Sequence, residues 1–109
     1  MAAQLLCDAQ RQIVARNYSC RFGEIDLIAV AANNSPPRLH FVEVRYRKSD
    51  RFGGAAASVT VTKQRKIRRT AALFLQRHPE LENYHCQFDV ITVSGTNYAP
   101  QTQWIEDAF

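Results

Sequence analysis

The sequence predicts a single α/β domain: a mixed central sheet flanked by helices, in the order helix, three strands, helix, strand. Three observations carry that reading. Two apolar runs, 24–31 and 39–46, alternate as strands do and are joined by the turn-forming segment 33–37. Ile67, Ala71, Phe74 and Leu75 recur at helical spacing. The run 87–93, Gln-Phe-Asp-Val-Ile-Thr-Val, then returns to β-forming residues. At 109 residues the chain suits one core, and residues 1–109 are taken as one domain.

Residues 2–11 favour helix, with Ala2, Leu5, Leu6 and Ala9 at helical spacing. No capping residue precedes this helix, so it reads as the tail of a longer one. Residues 13–18 form a short strand candidate, and 19–23 a turn in which Gly23 is free to take a conformation closed to other residues. Strands 24–31 and 39–46 then make a hairpin. The long connection 47–61 is rich in small residues and opens with Arg47, Lys48 and Arg51. Thr62 is the expected N-cap of a helix from about Lys63 to about Arg77, which the proline of His78-Pro-Glu-Leu stops. Residues 94–100 form a loop, and the ending 103–109 packs Trp104 and Phe109 on the body.

Composition narrows the function classes. Apolar residues make up 46% and charged residues 22%, as in ordinary globular domains. No apolar run is long enough to span a bilayer, and the N-terminus lacks a secretion-signal layout, so a cytoplasmic location without membrane contact is expected. The net charge of +4 and pI near 9.3 permit a polyanionic partner. Cys7, Cys20 and Cys86 show no zinc spacing, and their odd number argues against a disulfide framework. Each is expected as a small buried apolar residue.

The candidate site lies in the hairpin. Alternation puts Glu24 and Asp26 on one face of the first strand, with Ile25 and Leu27 on the other. On the second strand, Phe41, Glu43 and Arg45 oppose Val42, Val44 and Tyr46. An unpaired carboxylate inside a sheet costs on the order of several kcal/mol. A cation held between Asp26 and Glu43 would account for both acids. So would internal pairing, for example of Glu43 or Asp26 with Arg45, or exposure of that face. Asp89 is a third acid within a β run.

Lys63, Arg65, Lys66, Arg68 and Arg69 crowd the start of the second helix with no acid among them, although basic residues oppose the dipole there. With Arg47 and Lys48 they suit a nucleic-acid-binding surface, or equally a solvated helix face. His40, His78 and His85 have no ligand spacing, and His40 reads as a paired structural residue. Ser58 and Ser94 lack a nucleophile-elbow context, and no glycine pattern suits a phosphate cradle.

Together, Gly23-Glu-Ile-Asp-Leu-Ile, Phe41-Val-Glu-Val-Arg-Tyr-Arg, Gly53-Gly-Ala-Ala-Ala-Ser-Val, Lys63-Gln, Phe88-Asp-Val and Trp104-Ile-Glu-Asp-Ala-Phe resemble the YraN family over essentially the whole chain. That family is of uncertain biochemical function and is grouped with Holliday-junction-resolvase-like proteins. The resemblance implies a restriction-endonuclease-like core. It places Asp26 as the signature aspartate, Glu43 as the second acid and Arg45 at the lysine position. The implied activity is Mg²⁺- or Mn²⁺-dependent nuclease action on structured or branched DNA, with DNA preferred to RNA. Asp26, Glu43 and the Val44 carbonyl would be the metal ligands. Arg45, about 7 Å along the strand from Glu43, would stabilise charge, since its pKa is too high for acid–base work. Relatives carry a further glutamate on the first helix, which alignment puts upstream of Met1, so that helix is expected to be truncated at its N-terminus. Resolvases use two active sites, which implies a homodimer. Two other readings stay open: a catalytically inactive nucleic-acid-binding module, and a protein-interaction domain that uses sheet edges and Trp104 without nucleic-acid contact.

Overall fold

The structure is a computed structural model that describes residues 1–46, 59–95 and 99–109. The elements are α1 (Ala2–Asp8), β1 (Gln12–Cys20), β2 (Gly23–Ala31), β3 (Arg38–Tyr46), α2 (Val61–Arg77), a short 3-10 turn (Pro79–Leu81), β4 (His85–Gly95) and β5 (Pro100–Ile105). The five strands form one sheet in chain order. β1, β2 and β3 pair antiparallel, β3 and β4 parallel, and β4 and β5 antiparallel. The parallel pair needs a crossover, which α2 supplies. The expected α/β class with a mixed sheet flanked by helices is what the chain adopts.

The sheet is covered on both faces. On one, α2 sets Ile67, Ala71 and Phe74 against Ile25, Ile28, Val30, Leu39, Phe41 and Val90. On the other, Ala2 and Leu6 of α1 meet Leu27, Ala29, Val42 and Ile91. Burial on both faces is why β2 and β3 read as nearly continuous apolar runs.

Several boundaries differ from those the sequence predicts. α1 ends at Asp8, because Gln10 turns to φ +64° and the Arg11 amide returns to the Leu6 carbonyl at 2.9 Å. α2 is capped by Thr60, not Thr62: the Thr60 Oγ1 accepts from the Lys63 amide at 3.1 Å. β1 runs on to Cys20, leaving a loop of only Arg21 and Phe22 before Gly23. Gly23 has φ +156°, and its backbone lies against the Lys66 side chain. The ending, which the sequence does not mark as a strand, contains β5, a polar strand on the sheet edge. Cys7 is exposed, on the solvent side of α1, contrary to the burial expected of it; Cys20 and Cys86 are half-buried, and all three are free thiols.

The alternation in β2 also breaks. Ile25 packs on the α2 side and Leu27 on the α1 side, although the sequence pattern assigns them one face. Asp26 stands at this switch.

Candidate metal centre and nucleic-acid interface

The β2–β3 register brings the two signature acids together. Leu27 and Val42 are ladder partners, and Asp26 and Glu43 are the next residue on each strand. Asp26 is held by its partner strand: its Oδ2 accepts from the Val44 amide at 2.7 Å. Glu43 is only 6% exposed, and its Oε1 accepts from Lys63 Nζ on α2 at 2.8 Å, with an Arg45 guanidinium nitrogen at 4.0 Å. Burial pushes the Glu43 carboxyl above its ordinary pKa, and the nearby Asp26 charge pushes the same way. Lys63 and Arg45 pull it down without cancelling that rise.

Both acids line one cleft of ≈ 440 Å³, together with Glu24, Thr60, Thr62, Lys63 and Lys66. A second hollow of ≈ 330 Å³ opens on the other side of Asp26, between Met1, Arg16, Asn17 and Val44. Asp26 reaches both because of the break in β2.

The donor set fits a hard divalent cation. Two carboxylates from adjacent strands face one cavity, and each uses only one oxygen in the bonds to Val44 and Lys63. A cation between them would also relieve the like-charge contact that raises the Glu43 pKa.

The other expected site residues divide. Lys63 and Lys66 join the acids. Val44 enters through its amide, which orients Asp26. Arg65 is exposed on α2. Arg68 turns to the Phe88 and Phe109 rings, 4.6 and 5.7 Å from their centroids, and Arg69 to Phe22 at 5.9 Å. The five α2 cations therefore do not form one face. Arg47 and Lys48 lie outside the described residues.

Asp89 is elsewhere. It lies on the α1 side with His40, where its carboxylate accepts four hydrogen bonds. His40 Nδ1 (2.8 Å) and Trp104 Nε1 (2.9 Å) donate to Oδ2. Gln87 Nε2 and the Asp107 amide, both at 3.0 Å, donate to Oδ1. Arg11 Nε donates to His40 Nε2 at 3.1 Å. His40, Asp89 and Glu106 are the one trio of metal-type side chains with ligand atoms within 4.8 Å among the described residues. Hydrogen bonds within the protein already occupy the His40 and Asp89 ligand atoms, so this trio reads as a structural polar core. His40 is the paired structural residue the sequence suggests. Trp104 is half-buried with its N–H committed inward.

Two features escaped the sequence. The Lys63–Glu43 pair joins residues 20 apart across the crossover, and its only signal is a lysine in the first turn of a helix that lacks acids there. The His40–Asp89 pair spans 49 positions, so the sequence marks each residue but not their pairing.

Among the described residues no helix is long and apolar enough to cross a membrane. A family model described as Uncharacterised protein family UPF0102 matches residues 1–93. A UPF0102 protein of Stutzerimonas stutzeri (strain A1501) is 40% identical over 109 residues, covering 100% of this chain and 88% of that protein. One from Saccharophagus degradans (strain 2-40) is 47% identical over 109 residues, covering 100% and 86%. One from Nitrosomonas europaea is 44% identical over 108 residues, covering 99% and 86%. On the match of that model and of these relatives, the chain belongs to the uncharacterised protein family UPF0102, the YraN family that its motifs resemble.

Proposed function

We propose that this protein is a divalent-metal-dependent nuclease acting on structured or branched DNA. The observation that carries the reading is the convergence of Asp26, Glu43, Lys63 and Lys66 on one cleft. Asp26 and Glu43 would hold Mg²⁺ or Mn²⁺. When bound, the ion supplies a polarised phosphoryl oxygen and a water of lowered pKa.

The chain's own residues do the rest. The Val44 amide holds Asp26 through its Oδ2, and Asp26 lines the cleft. Lys63 brings an ammonium to Glu43, closer than Arg45 does. A lysine is a compact, mobile point charge, suited to a non-bridging phosphate oxygen as charge builds there. Lys66, on the same cleft wall, is placed to neutralise a neighbouring phosphate.

The test is cleavage of labelled four-way junctions, forks and plain duplex with Mg²⁺ or Mn²⁺. Metal-dependent cuts, lost in Asp26→Asn and Glu43→Gln, are expected. Absence of cleavage, or equal cleavage by both variants, removes the reading.

A further inference from the structure

The β1–β2 hairpin turns through just two residues, Arg21 and Phe22, since Cys20 and Gly23 are ladder partners. Two-residue hairpin loops favour Asn-Gly or glycine-containing pairs. Arg-Phe is a poor choice for the turn itself, and neither residue takes a positive φ. Phe22 also belongs to neither apolar cluster and is only half-buried. A local rule broken at a residue outside both apolar clusters points to use of the side chain.

What surrounds Phe22 names that use. Arg21 and Arg69 set their guanidinium carbons 4.9 and 5.9 Å from its ring centroid. Together with Ala72, Leu73 and Gln76 they line a hollow of ≈ 390 Å³ with no acidic residue in its wall among the described residues. The hollow adjoins the carboxylate cleft: Gly23 and Lys66 line that cleft, and Phe22 and Arg69 line this one. Lys66 and Arg69 are three residues apart on α2, a rise of about 4.5 Å.

We propose that Phe22 is a stacking platform for an unpaired base of a DNA strand whose backbone runs into the Asp26–Glu43 cleft, with Arg21 and Arg69 on its flanking phosphates. The proposal rests on the cleft's reading as a nucleic-acid site and adds the substrate feature recognised, an unstacked base at a fork or junction. Aromatic side chains bind single strands in this way because every base has a π-face, and guanidinium planes add to the stack. In a closed duplex the bases are stacked on each other and cannot reach the ring.

The probes are a DNA fork carrying 2-aminopurine at the first unpaired position and a matched duplex, both titrated in EDTA so that binding is read without metal or cleavage. The fork should bind more tightly than the duplex, with altered 2-aminopurine emission. Phe22→Leu keeps apolar bulk at the turn but removes the ring. It should cut the fork-over-duplex ratio about ten-fold, the scale of one base–aromatic stack, and abolish the emission change. Phe22→Trp should restore both. Arg21→Glu with Arg69→Glu should weaken fork binding and flatten its salt dependence. A fork-over-duplex ratio unchanged in Phe22→Leu overturns the proposal, as does a wild-type protein that binds neither DNA. The cleavage assay is scored separately. Metal-dependent cutting with no Phe22 effect leaves the nuclease reading and removes the platform; fork selectivity without cutting does the reverse.

Discussion

Lys63 Nζ sits 2.8 Å from Glu43 Oε1, joining the first turn of α2 to the middle of the sheet. Glu43 is almost fully buried, and among the described residues Lys63 is the closest cation to it. Lys63→Met should therefore raise the Glu43 pKa further and lower stability by about 1 kcal/mol, a small figure because the lysine is half in solvent. Under the nuclease reading it should also cut the cleavage rate about 10²-fold, the scale for losing one charge-stabilising donor. Lys63→Arg should keep most of the stability and recover part of the rate. Urea midpoints and single-turnover cleavage, measured side by side, separate the two roles. A rate unchanged in Lys63→Met would leave the lysine a purely structural partner.

Under the metal-dependent reading, the raised Glu43 pKa would set the pH dependence of metal binding. A proton on Glu43 competes with the ion, so Mn²⁺ affinity should rise with pH through a range lying above that of an ordinary glutamate. At saturating Mn²⁺, about 100 times the dissociation constant, the folded state gains roughly 2.7 kcal/mol. The matching rise in melting temperature should vanish in Asp26→Asn and Glu43→Gln. The same shift in Glu43→Gln as in wild type would place the ion elsewhere, and the His40–Asp89–Glu106 trio would be the next site to examine.

Asp89 has the opposite shift. Burial alone would raise its pKa, but hydrogen bonds from His40, Gln87, Trp104 and the Asp107 amide hold it below the ordinary value. A carboxyl depressed on folding stabilises the fold above its unfolded pKa, near 3.9. That contribution is lost as pH falls through the folded value. Stability should therefore drop below about pH 4, with a slope that Asp89→Asn flattens. At neutral pH, Asp89→Asn should cost about 3 kcal/mol, because an amide nitrogen then faces a donor. Urea titrations across the acid range read both effects.

The parts of this fold visible in the sequence are those with local causes. The β2–β3 hairpin is written in its two apolar runs and in the turn at 33–37, and α2 in its stripe of Ile67, Ala71 and Phe74. Thr60 and Thr62 are both chemically able caps, and only the path of the chain into the helix chooses Thr60. β5 was hidden because most of its residues are exposed and polar, as an edge strand allows. Glu43 reads from its neighbours as an acid within a strand, bound, paired or exposed; the partner that settles its pairing, Lys63, comes from across the crossover. Asp89 stands in its strand much as Glu43 does in β3. Position in the sheet, not sequence, turns one acid toward the cleft and gives the other four donors on the opposite face.

Trp104 tests whether that second acid is a structural anchor. Its Nε1 donates to Asp89 Oδ2 from β5, its ring meets His40 edge-on at 5.6 Å, and the Arg11 guanidinium carbon lies 5.7 Å from the ring centroid. Trp104→Phe keeps an aromatic body and removes the donor. Loss of one hydrogen bond to a charged acceptor should cost about 1.5–3 kcal/mol. Because Asp89 is the shared acceptor, Trp104→Phe and Asp89→Asn should not add. The double variant should fall short of the sum by about 1 kcal/mol or more, as contacting residues do. Simple additivity would mean that β5 is held by its ladder with β4 alone, and that the carboxylate serves only the His40 side. Cleavage and fork binding should change little in Trp104→Phe, because the network and the cleft lie on opposite faces of the sheet.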